Sequence, residues 1–123
     1  MKKSPKIVWL AAPEDHDYPA AASYLSLTFD SLLVEDLVLR LKSAPITTFK
    51  AKDIFRASGL SLLGVSNSHV KKDKDKIKNS SPLSPLLLVR DGKNSKVIIA
   101  DGYHRLCAVY AYDEDAEIPC KIV

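Results

Sequence analysis

The stretch Val97-Ile98-Ile99-Ala100-Asp101-Gly102-Tyr103-His104-Arg105-Leu106-Cys107-Ala108-Val109 carries two patterns back to back. An apolar, β-branched run stops at Asp101-Gly102, and a helix-like run begins at once with His104 and Arg105 in its first turn. A strand that turns sharply into a helix leaves unpaired backbone N–H groups and the positive dipole end directed at one spot. A histidine and an arginine placed there make an anion site, most naturally for phosphate.

Working outward, Leu86-Leu87-Leu88-Val89 is a continuous apolar run of the kind found in buried strands. Asp91-Gly92 begins a turn, Lys96 to Ala100 returns as a second strand, and Tyr103 to about Tyr112 is helical. Ile118 to Val123 closes the chain as a last strand. Upstream, Ile46 to Phe49 is a strand candidate, and Ala51 to Ser58 reads as a short helix stopped by Gly59. Ser61 to Ser66 reads as irregular, and Ser68 as the cap of a helix running to about Lys78, anchored by Val70 and Ile77. In the N-terminal third, Pro19 suits a first helical position, and Asp30-Ser31 starts a helix in which Leu33, Leu37 and Leu41 recur at helical spacing with Val34 and Val38 beside them. Strands and helices mix without a regular βαβ rhythm. The expected class is α+β: one domain over residues 1–123, a small mixed sheet flanked by helices in 46–123, and a helical extension in 1–45.

Length and composition set limits on function. At 123 residues the chain can bury a core without staples. No apolar run approaches the roughly 18 residues that cross a bilayer, and Met1-Lys2-Lys3 is followed by too short an apolar stretch for a signal peptide. No membrane partner is expected, and the chain reads as cytoplasmic. Cys107 and Cys120 lack metal-ligand spacing and read as buried thiols. The net charge of +3 permits nucleic-acid contact without arguing for it. Much of that excess lies in Lys71-Lys72-Asp73-Lys74-Asp75-Lys76-Ile77-Lys78, whose alternating signs fit a solvated helix face better than a DNA tract.

The order of the C-terminal pieces resembles the ParB/sulfiredoxin superfamily. Ser84-Pro85-Leu86-Leu87-Leu88-Val89 supplies its first strand, Asp101-Gly102-Tyr103-His104-Arg105 its signature, and Glu117-Ile118-Pro119-Cys120-Lys121-Ile122-Val123 its closing segment. The resemblance covers roughly residues 60 to 123. It implies a ParB/sulfiredoxin-like fold and a nucleotide site: Gly102 permits close backbone approach, while His104 and Arg105 contact phosphate. It further implies His69 and Lys72, on the preceding helix, as ligand-binding residues. A nucleoside triphosphate with Mg2+ is the implied cofactor, and a nucleotide or phosphorylated small molecule the implied partner. One departure limits the inference. Sulfiredoxins carry their catalytic cysteine between the glycine and the His-Arg pair, where this chain has Tyr103. A phenol cannot perform thiol chemistry, so reduction of a sulfinic acid is not the expected activity. The acidic-basic motif and the following helix-turn-helix of ParB proteins are also missing from the sequence, which argues against centromere-type DNA binding.

Three functional readings follow. The first is a nucleotide- or phosphate-binding protein with phosphotransferase or nucleotide-hydrolysing activity, in which Asp101 is the catalytic candidate, as base or metal ligand. Its simpler role is a helix N-cap accepting from the N–H of Tyr103 or His104. Arg105 has no nearby carboxylate in the motif itself and is read as a phosphate ligand; its simpler alternative is a surface pair with Asp113, Glu114 or Asp115. The second is a nucleic-acid-binding or nuclease-like domain using the Lys71 to Lys78 run. The third is a protein-interaction module with a vestigial site. Separately, Pro13-Glu14-Asp15-His16-Asp17-Tyr18-Pro19 gathers acids around a histidine. His16 and Asp17 are its metal candidates for magnesium or manganese if the stretch folds over the signature turn. The simpler reading is that acids ahead of a helix complement its dipole.

Overall fold

Alternation along β2 (Leu86–Asp91) organises the molecule. Leu86 and Leu88 belong to one apolar cluster and Leu87 and Val89 to another, as the two-residue period of a strand requires. The structure is a computed structural model that describes residues 6–62 and 67–123. Met1-Lys2-Lys3 and most of the Ser61 to Ser66 segment lie outside the described residues.

Among the described residues a four-stranded sheet has the order β1 (Thr47–Lys50), β4 (Glu117–Ile122), β2, β3 (Lys96–Asp101). β1 pairs antiparallel with β4, β4 parallel with β2, and β2 antiparallel with β3. The sheet is therefore mixed. Pro119, which has no N–H to donate, sits opposite Thr48, ahead of the parallel register with β2 that begins at Cys120. The first apolar cluster joins the sheet to α3 (Ala51–Ser58), α4 (Ser68–Lys78) and α5 (Tyr103–Tyr112). The second joins it to α1 (Asp17–Leu25) and α2 (Ser31–Ser43). The sheet is thus covered on both faces, and the N-terminal helices form one of the two covers. The result is α+β with five helices among the described residues.

Local chemistry explains most boundaries. The Asp30 side chain accepts from the Leu33 N–H and caps α2, whose Val34, Leu37 and Leu41 point into the core. Gly59 ends α3 in the left-handed conformation at φ 68°. Two expected starts move. Asn67, not Ser68, caps α4, accepting from the N–H groups of His69 and Val70 at 3.0 and 3.3 Å. Helix α1 begins at Asp17, so Pro19 occupies its first turn rather than its first position. The ring is tolerated there because first-turn N–H groups lack intrahelical acceptors anyway. No helix among the described residues is long and apolar enough to cross a membrane.

Cys107 and Cys120 are both buried and neither is part of a disulfide, in line with the expectation of buried thiols. Burial pushes the Cys120 thiol up to about 11. It is a core side chain, not a thiolate.

Candidate functional site

The ladder between β2 and β3 is irregular where it reaches the signature turn. Leu88 pairs with Ile99, but Leu87 pairs with Asp101, so Ala100 is bulged out of register. Bulges re-aim side chains at strand ends. Gly102 then takes φ 110°, a left-handed conformation that side-chain-bearing residues rarely adopt, and opens α5 as its N-cap. A Cβ at this position would meet Leu86 Cγ at 2.6 Å and Arg105 Nη2 at 2.9 Å. The close approach expected at Gly102 is therefore made by the protein's own Leu86 and Arg105 side chains.

Two helices converge on this turn. Helix α4 presents His69, Lys72, Asp73 and Lys76, successive three- and four-residue steps along one helical face. With Asp101, Gly102, His104 and Arg105 they line a polar cavity of about 190 Å³. The His69 and His104 rings lie 4.9 Å apart, and the Lys74 ammonium sits 5.2 Å from the centre of the Tyr112 ring, so α4 and α5 meet at two separate points. All of the expected ligand-binding residues, His69, Lys72, Gly102, His104 and Arg105, line this one cavity together with Asp101. Asp73 and Lys76 are additions, and stepping along the helical face from His69 reaches both. The lysine run is divided: Lys72 and Lys76 face the cavity, whereas Lys71 pairs with Asp75 at 3.2 Å.

Two of the simpler alternatives are not what the structure shows. Asp101 caps no helix, since α5 has no side-chain cap; its carboxylate instead accepts from Arg105 Nη2 at 2.9 Å. The i,i+4 spacing across the turn brings the two together. Arg105 accordingly does not use the downstream acidic run, where Asp115 takes Lys52 at 2.6 Å. Both members of the Asp101–Arg105 pair are mostly buried, at 18% and 17% side-chain exposure. Arg105 Nε is buried with no hydrogen-bond partner among the described residues. A guanidinium with its Nη2 paired and its Nε unpaired retains donor capacity.

Burial sets the protonation pattern. It raises the Asp101 carboxyl, an effect that Arg105 offsets and the neighbouring Asp17 reinforces. Burial also raises Asp73, opposed by Arg105, Lys76, His104 and Lys72. His104 is lowered, first by burial and then by the nearby His69, against the pull of Asp73. The imidazole is therefore held toward its neutral form, as a helix N-terminus also favours. Three fixed cations, Lys72, Lys76 and Arg105, face two carboxyls whose ionisation is disfavoured.

The N-terminal acidic stretch folds back to this point. Asp17, 2% exposed, accepts from the Glu14 N–H at 2.9 Å and lies near enough to the Asp101 carboxyl to oppose its ionisation. His16 is mostly exposed, 3.4 Å from Asp17 and 3.6 Å from Glu14. Among the described residues no group of three or more His, Cys, Asp or Glu side chains is gathered as a metal cage.

Beyond the turn lies a second cavity of about 400 Å³, which shares Asp101, Gly102 and His104 with the first. Tyr103 borders it, its hydroxyl donating to the Ser61 carbonyl. No family model, curated protein or solved structure matches the chain.

Proposed function

We propose that the polar cavity between α4 and α5 binds the phosphate groups of a nucleotide. The observation that carries this reading is the buried, unpaired Arg105 Nε at the start of α5, in one cavity with His104 and with His69, Lys72 and Lys76 of α4. Those groups donate and none of the cations accepts, so the natural complement is a multiply charged oxyanion. The orphan N–H groups of the first turn of α5 add to the same field. The resemblance of the β3–α5 signature to the ParB/sulfiredoxin superfamily supports the same ligand class, and we extend that proposal to the fold family.

For phosphoryl transfer or hydrolysis, we assign Asp101 to proton handling and Arg105 with Lys72 and Lys76 to the developing charge. The donor set does not form a cage for Mg2+ among the described residues, because Asp101 is already engaged by Arg105. A magnesium ion would be carried by the triphosphate, and no step is routed through it.

Thermal-shift measurements with ATP, CTP, GTP and ADP, with and without Mg2+, test the reading. A ligand at 100 times its Kd adds about 2.7 kcal/mol, enough to raise the Tm of a domain this size by several degrees. The shift should vanish in Arg105→Ala and shrink in Lys76→Ala. No shift with any nucleotide, or shifts unchanged in both variants, would overturn it.

A further inference from the structure

The cavity beyond the signature turn differs in chemistry from the polar one. Its walls are Ala20 and Tyr24 of α1, Leu60 after α3, Ile99 and Ala100 of β3, and Tyr103. Among the described residues no lysine or arginine lines it. Tyr24 is 46% exposed and Leu60 40%, an aromatic and an aliphatic surface left open to solvent. Its volume of about 400 Å³ lies within the roughly 300–1,000 Å³ of small-molecule sites. The polar cavity, about 190 Å³, falls below that range and holds part of a ligand.

The two cavities share part of their lining. Asp101, Gly102 and His104 line both, so a ligand that crosses the turn touches these residues on its way. The His104 ring lies 4.9 Å from His69 on the polar side and 5.6 Å from Tyr103, which lines the second cavity. One end of such a ligand meets cations and the other meets apolar walls with two aromatic rings. A planar, uncharged heterocycle joined to phosphates has this division; an inorganic polyphosphate or a phosphosugar does not.

We infer that the second cavity is the base subsite of the nucleotide, with the base stacked on Tyr24. This rests on the proposed phosphate site. It also goes beyond the signature, because Ala20 and Tyr24 come from the N-terminal helices, outside the segment that carries the resemblance. The helical cover is then a part of the binding site and selects nucleotides over other phosphorylated compounds.

Titration calorimetry of the full chain with inorganic tripolyphosphate and with ATP, CTP and GTP tests this. Stacking on one aromatic side chain changes affinity by roughly 5- to 150-fold. The best nucleotide should therefore bind at least about tenfold tighter than tripolyphosphate. Tyr24→Ala should bring that nucleotide down toward tripolyphosphate while leaving tripolyphosphate itself unchanged, and Tyr24→Trp should restore the difference. Equal binding of tripolyphosphate and all three nucleotides would overturn the base subsite and leave the phosphate site standing. So would a Tyr24→Ala protein with undiminished nucleotide affinity. Absence of binding by every ligand, tripolyphosphate included, would remove both.

Discussion

Arg105 and Asp101 are joined at 2.9 Å across the turn that links β3 to α5, so the strongest cation of the candidate site is already engaged by a carboxylate. A phosphate entering the cavity competes with that carboxylate for the guanidinium. Asp101→Asn preserves shape and removes the competing charge. Phosphate-bearing ligands should bind the variant about tenfold tighter, a modest share of the several kcal/mol that like-charge juxtaposition costs. Any hydrolytic turnover should fall, because the amide cannot take a proton. Weaker binding in a calorimetric titration would contradict this account of the pair.

Gly102 provides a second test. At its φ of 110°, a methyl group would come within 2.6 Å of Leu86 Cγ, which leaves no relaxed place for alanine. The strained dihedral and the overpacking each cost about 1–3 kcal/mol. Gly102→Ala should therefore lower the Tm by about 10 °C. Because the same methyl presses on Arg105, the variant should also lose nucleotide binding at temperatures where it remains folded. A melting curve superimposable on the wild type would show that the turn is not constrained as described.

His104 ties the site to pH. Its folded-state value lies below the usual 6.5, chiefly through burial. The unfolded chain then binds its proton first as pH falls. The contribution to stability is fully present above 6.5 and is lost as pH falls through the lowered folded value. A bound phosphate reverses the balance, since it favours the imidazolium. Without ligand, the wild type should lose more stability than His104→Gln between neutral and mildly acidic pH. With saturating tripolyphosphate that difference should shrink or change sign. Comparing the two proteins cancels protonation of the ligand itself. Parallel Tm profiles for both proteins, with and without ligand, would exclude the coupling.

Much of this architecture is legible in the sequence because local rules agree with the global fold. The apolar run Leu86 to Val89, the stop at Gly59 and the Asp101-Gly102 break each have a backbone reason that the packing respects. The α4 start differs by one residue because Asn67 and Ser68 are both competent caps. Asp73 and Lys76 escape notice although the helical period from His69 reaches them, because an alternating charge run reads first as a solvated surface. Asp101 is harder. Whether a carboxylate before a helix caps it or turns to an arginine depends on the bulge at Ala100, which no propensity encodes. The aromatic cavity is out of reach for a related reason. Tyr24 and Tyr103 share it only because α1 packs on the sheet face formed by Leu87, Val89 and Ala100.

The same docking of α1 creates the last test. Asp17 is buried, its carboxyl accepts from the Glu14 N–H, and it lies against the Asp101 carboxyl, whose own ionisation it opposes. Two carboxylates in contact repel unless they share a proton. Asp17→Asn supplies that hydrogen permanently from the amide and retains an oxygen for the Glu14 N–H. At neutral pH the variant should be more stable, by about 1 kcal/mol for a hydrogen bond to a charged acceptor after other losses, or a few degrees in Tm. The sign follows from Asp101. Its folded value is raised above 3.8, so the wild type gains stability as pH falls through that raised value, where the Asp101 carboxyl takes up its proton. The advantage of Asp17→Asn should therefore shrink on acidification and disappear near pH 4. A variant that melts below the wild type at neutral pH would show that the Asp17 charge is needed, through His16 or an arriving cation, and that the two carboxyls do not stand in simple opposition.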